Sequence, residues 1–111
     1  MAMTFTQLFT PVQLPNAVGV LYTQSVTGGV LKNGRVRLCN TSASPVPVTL
    51  YADVAANASS AANCFLSAKS IAANDYIDID IPTLKAGDTL RGFAGTASVI
   101  TMHELGGIIW S

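Results

Sequence analysis

The chain has 111 residues, half of them hydrophobic and only 11% charged, and its six basic and six acidic side chains cancel. Globular chains usually carry about 25% charged residues, so this surface must be largely neutral, and the basic surplus of a nucleic-acid footprint is missing. One domain with its own core fits this length, and no apolar run approaches the roughly 20 residues that a membrane helix needs.

The first charged side chain is Lys32. Residues 1–17 read as an N-terminal apolar arm, with Phe5, Leu8, Phe9, Val12 and Leu14 punctuated by Pro11 and Pro15. Thr4 to Phe9 predicts a short strand ended by Pro11. No basic region precedes the arm, so no targeting segment is expected. Residues 18–111 read as a single β-sandwich domain. Val18 to Val26 predicts a strand closed by Gly28-Gly29, and Lys32-Asn33-Gly34 contains Asn-Gly, a favoured hairpin turn. Arg35 to Asn40 alternates, with Val36 and Leu38 on one face and Arg35, Arg37 and Cys39 on the other.

A loop rich in Ser, Thr and Pro follows, then a strand from Val46 to Val54 whose Pro47 suggests a start at a sheet edge. Ala55 to Asn63 has the composition of a loop. Cys64 to Ile71 is the next strand, and Ala72 to Asp75 a turn. Tyr76 to Ile81 has two clear faces: Ile77, Ile79 and Ile81 inward, Asp78 and Asp80 outward. After the turn Lys85-Ala86-Gly87-Asp88, strands run from Thr89 to Ala94 and from Ala97 to Trp110, the last with a bulge or bend at Gly106-Gly107. About eight short strands without alternating helices predict an all-β, antiparallel β-sandwich or jelly roll.

Catalytic chemistry finds no constellation. His103-Glu104 holds the only His and the only Glu, and neighbours on a strand point to opposite faces. Asp78 and Asp80, with Asp75 nearby, lack the spaced oxygen set of a calcium loop and the cleft of a paired-carboxylate enzyme. Cys39 and Cys64 lack metal-site spacing and are expected as free thiols. The sequons at Asn40 and Asn57 are expected to be chance matches. No enzyme, cofactor or metal is therefore expected. The repeats Arg35/Arg37 and Asp78/Asp80 share a two-residue period and can form charge pairs between strands or between subunits. The apolar ends must complete the core or dock on a partner; Phe5, Leu8, Phe9, Ile108 and Trp110 are the expected partner contacts.

Several phrases resemble small virion proteins of tailed phages: Leu21-Tyr22-Thr23, Val36 to Ser42, Val48-Thr49-Leu50-Tyr51, Ile71 to Asp75, and Leu84 to Arg91. The pattern spans Leu21 to Thr101 and consists of turn-and-strand phrases. Length and character look most like the capsid decoration, or staple, proteins of epsilon-fifteen-type short-tailed phages. That resemblance implies a jelly-roll-like fold and a place on the capsid exterior of a virion assembled in the host cytoplasm. It also implies a homodimer clamping neighbouring copies of the major capsid protein. The alternative is a glycan-binding module of a phage tail fibre or spike, which exposed aromatic side chains would favour.

Overall fold

A computed structural model describes residues 3–4, 7–54 and 59–111. Among them the chain forms two antiparallel sheets packed as a sandwich. The larger sheet has the order β1-β10-β4-β7, from Met3–Thr4, Ile100–Trp110, Val30–Asn40 and Tyr76–Asp80. Its β2 (Val12–Gln13) pairs with β10, and β8 (Leu84–Lys85) with β4. The smaller sheet has the order β3-β9-β5-β6, from Gly19–Thr23, Thr89–Ala94, Val46–Asp53 and Cys64–Ile71.

Period-two alternation sorts the side chains. Leu31, Val36 and Leu38 of β4, with Ile100, Met102 and Ile109 of β10, line the inner face of the larger sheet. They meet Val46, Val48 and Leu50 of β5 and Leu90 of β9 in one core cluster. Gly92 of β9 belongs to that close packing. A Cβ there would lie 2.5 Å from a Leu50 methyl and 2.6 Å from the Thr49 carbonyl oxygen.

Four local expectations are corrected. Asn33-Gly34 is not a hairpin turn: β4 runs straight through it, and Asn33 takes φ 58 inside the strand. β10 has matching register shifts around Gly106, so both strands bulge together. Pro47 does not mark a sheet edge, because β5 pairs with β6 on one side and β9 on the other. Its carbonyl accepts from Gly95 N–H just beyond the end of β9, where the missing proline N–H costs no ladder bond. Of the strand expected from Thr4 to Phe9, Thr4 belongs to β1 while residues 7–9 lie outside the ladder, Leu8 packing over Gly107; residues 5–6 lie outside those described. The strand expected to reach Val26 ends at Thr23. Gln24 turns fully inward there, its amide donating to the Gly29 carbonyl and its side-chain oxygen accepting from Val26 N–H.

The described residues of the stretch expected as a separate arm are in part built into the sandwich. β2 extends the sheet, and Leu14 is fully buried. The stretch from 55 to 63 closes with a 3₁₀ turn, Ala61–Asn63; residues 55–58, including the sequon at Asn57, lie outside those described.

Asn40 locks the far end of β4. Its buried amide donates to the carbonyls of Ser44, Ile71 and Ala72, while its oxygen accepts from Ser42 N–H and Oγ. An amide so enclosed cannot carry a glycan in the folded protein. Replacing Asn40 by Ala leaves buried carbonyls unpaired and should lower unfolding free energy by about 1–3 kcal/mol. Gly92→Ala should cost a similar amount, about 1–3 kcal/mol, through overpacking. Urea denaturation checks both; parental stability in either variant would contradict the packing described.

Candidate partner-binding surfaces

Along β4 and β7 the outer face of the larger sheet is charged and internally paired. β4 and β7 are in register so that Arg35 faces Asp80 and Arg37 faces Asp78. Arg37 donates from Nε to Asp78 Oδ1 at 2.8 Å and from Nη2 to Oδ2 at 3.0 Å. Its guanidinium also lies 4.1 Å over the Tyr76 ring. The Arg35–Asp80 pair is looser, at 3.8 Å, with both side chains largely in solvent. The charge ladder therefore joins strands within one chain. Hydrogen bonding from Arg37 holds the Asp78 carboxyl below its usual range, against the opposing effect of desolvation. The same hydrogen bond raises Arg37.

His103 lies opposite Arg37 on this sheet, whereas Glu104 lies opposite core residue Val36. The two side chains thus leave β10 on different faces. Burial raises the Tyr22 hydroxyl above its ordinary value, and the charge of Glu104 adds to that.

The apolar ends are largely spent on the fold. Leu8 and Phe9 are half-buried against the core, and the Phe9 ring lies 5.4 Å from that of Tyr22. What they can offer a partner is their remaining surface. Phe5 lies outside the described residues. At the other end Ile109 is buried, while Ile108 and Trp110 are half-buried. Their register with Lys32 and Val30 places them on the outer side of the larger sheet.

The outer face of the smaller sheet is different. The four strands of this sheet contain three charged residues: Asp53 and Arg91 on its inner strands β5 and β9, and Lys69, exposed on the edge strand β6. Arg91 Nε lies 3.6 Å from Asp53 Oδ2, with Asp53 wholly buried. Ser59 Oγ also donates to Asp53 Oδ2. Among the described residues, Asp53 Oδ1, Thr89 Oγ1 and Arg91 Nε have no hydrogen-bond partner. Around this pair the face presents Val20, which is 56% exposed, and the half-buried rings of Tyr51 and Phe93. Sequence reasoning missed this pair. Its only trace is one acid and one base in otherwise neutral strands.

Cys39 and Cys64 are free and lie in different sheets. Among the described residues, no three His, Cys, Asp or Glu side chains are placed to hold a metal ion, and no helix is long and apolar enough to cross a membrane. No family model and no curated protein matches the chain.

A depressed folded-state carboxyl contributes stability above the unfolded aspartate range, near pH 4, and loses it as pH falls through the folded value. Asp78→Asn should therefore be less stable than the parent at pH 7, with the gap narrowing toward pH 3. Denaturation at pH 7, 5 and 3 checks this. A gap independent of pH would assign Asp78 a packing role alone.

Proposed function

We propose that the protein is a non-enzymatic virion component that decorates an icosahedral capsid and clamps neighbouring major capsid proteins. The observation that carries the reading is the contrast between the two outer faces. One sheet exposes a charged, solvated ladder along Arg35, Arg37, Asp78 and Asp80. The other exposes Val20 beside Tyr51 and Phe93, with the charges of β5 and β9, Asp53 and Arg91, matched to each other and Lys69 set apart on the edge strand β6. A face of that kind loses little charge hydration when covered by protein, and its apolar area gains from being covered. The resemblance of Val36 to Ser42 and Val48 to Tyr51 to small virion proteins of tailed phages, with a length and character like those of capsid decoration proteins, suggests the partner.

The mechanism is thermodynamic. A clip that binds the assembled shell but not its separated subunits stabilises the shell by mass action, and a symmetric lattice repeats each modest contact many times. Apolar contact implies weak dependence on salt.

Co-sedimentation with decoration-free shells of a short-tailed phage tests the reading. Binding should persist at about 0.3 M salt, where the Debye length is only several Å. Val20→Glu should abolish it without loss of fold, since Val20 is exposed; Asp80→Lys, on the opposite face, should not. Stripping by moderate salt, or parental binding by Val20→Glu, would refute it.

A further inference from the structure

The β4 bulge has a chemical consequence. An unbroken strand would send Lys32 and Asn33 to opposite faces. With Asn33 at φ 58, Leu31 and Gly34 are both buried while Lys32 and Asn33 are both exposed. Two consecutive polar side chains thus reach the same outer surface. Bulges commonly serve to re-aim a side chain in this way.

That surface holds a concavity of about 490 Å³ lined by Gly28, Val30, Lys32, Asn33 and Trp110. Strand register explains the assembly. Val30 is a lining residue with Trp110 opposite it on β10, while Lys85, opposite it on β8, stands beside the lining. Lys32 lies one row along, opposite Ile108. The three ion pairs of the described residues involve neither Lys32 nor Lys85. The hollow therefore combines an indole, an amide and the Lys32 cation, with Lys85 as a second cation at its side, and among the described residues neither lysine is ion-paired, on a chain with no net charge.

We propose that this hollow binds an acidic saccharide, a pyranose ring bearing a carboxylate. The ring's C–H face lies on the Trp110 indole and Val30. The carboxylate is met by Lys32 and Lys85 through charge-assisted hydrogen bonds, and a ring hydroxyl by the Asn33 amide, which can both donate and accept. A neutral sugar leaves both ammonium groups without a counter-charge. An acidic peptide satisfies the lysines but has no flat C–H face for the indole. This site is on the opposite sheet from the neutral face discussed above, so it stands or falls independently of capsid binding.

Trp110 is the only tryptophan, so its emission reports on the site directly. The full chain is titrated with a hexameric oligogalacturonate, with neutral maltohexaose and with hexaglutamate. Saturable change in emission is expected with oligogalacturonate only. Lys32→Ala with Lys85→Ala should weaken it about tenfold or more, the worth of one charged hydrogen bond. Trp110→Leu, followed by amide chemical-shift mapping because the reporter is lost, should remove the shifts around Val30 and Lys32. Unchanged backbone spectra away from the site certify the fold of each variant. Absence of saturable binding to oligogalacturonate, equal binding of maltohexaose or hexaglutamate, or parental affinity in the double lysine variant would each overturn the proposal.

Discussion

The pairing of β4 with β10 is the constraint from which the rest of this sandwich is built. Both strands are 11 residues long, and their ladder runs from Ile100 opposite Asn40 to Trp110 opposite Val30. β7 and β8 attach to the free side of β4, and β1 and β2 to that of β10. Because side chains alternate with period two, a slip of one residue would turn Leu31, Val36 and Leu38 outward and bring Arg35 and Arg37 into the core. Burying those guanidiniums without partners would be prohibitive. Register is therefore held by hydrophobic burial inside and by the Arg–Asp ladder outside, with the former much the stronger. An exposed ion pair contributes at most about 1 kcal/mol, whereas a deleted core leucine costs about 2–5 kcal/mol.

Much of this could be read from residue order, and the unread part has identifiable causes. β6 and β9 were legible to the residue because turn formers bound them on both sides, although the β6 sequence does not alternate cleanly. Ile77 and Ile79 against Asp78 and Asp80 gave the two faces of β7 directly. Asn33-Gly34 misled because the left-handed backbone that suits a hairpin turn also suits a bulge. Only pairing with β10 decides between them, and pairing is a non-local fact. Pro47 misled for a related reason. A missing N–H excludes a residue from a ladder, but not from the point where the neighbouring strand has already ended. The N-terminal stretch read as an arm because its prolines interrupt any long strand. What ties it down is Leu8 over Gly107 and Leu14 in the core, its backbone hydrogen-bonded to Ile100 and Ser98, all partners from the far end of the chain.

The surface chemistry was less legible than the fold. The ladder was visible as matched two-residue repeats, although nothing local says that its two strands are neighbours in one chain. The Asp53–Arg91 pair was invisible, since a lone acid and a lone base in separate strands predict no meeting. The hollow at Trp110 could not be seen at all. It needs the bulge to bring Asn33 beside Lys32, and two different pairings to put Trp110 and Lys85 on either side of Val30.

These features share one logic. With so few charges, each one's placement decides which surfaces remain wet. On β4 and β7 the charges are consecutive outward residues, and that face keeps its water because covering it would strip hydration from four ionised groups at once. On β5 and β9 the two charges neutralise each other, with Asp53 buried, and the apolar side chains around them are free to be covered. Lys32 and Lys85 follow neither pattern: they remain exposed beside an apolar hollow, with no carboxylate bridging them. A sandwich whose core demands are met by alternation alone can thus assign different work to its two faces by the position of a few ionised side chains, while the sequence of its strands stays almost uniformly neutral.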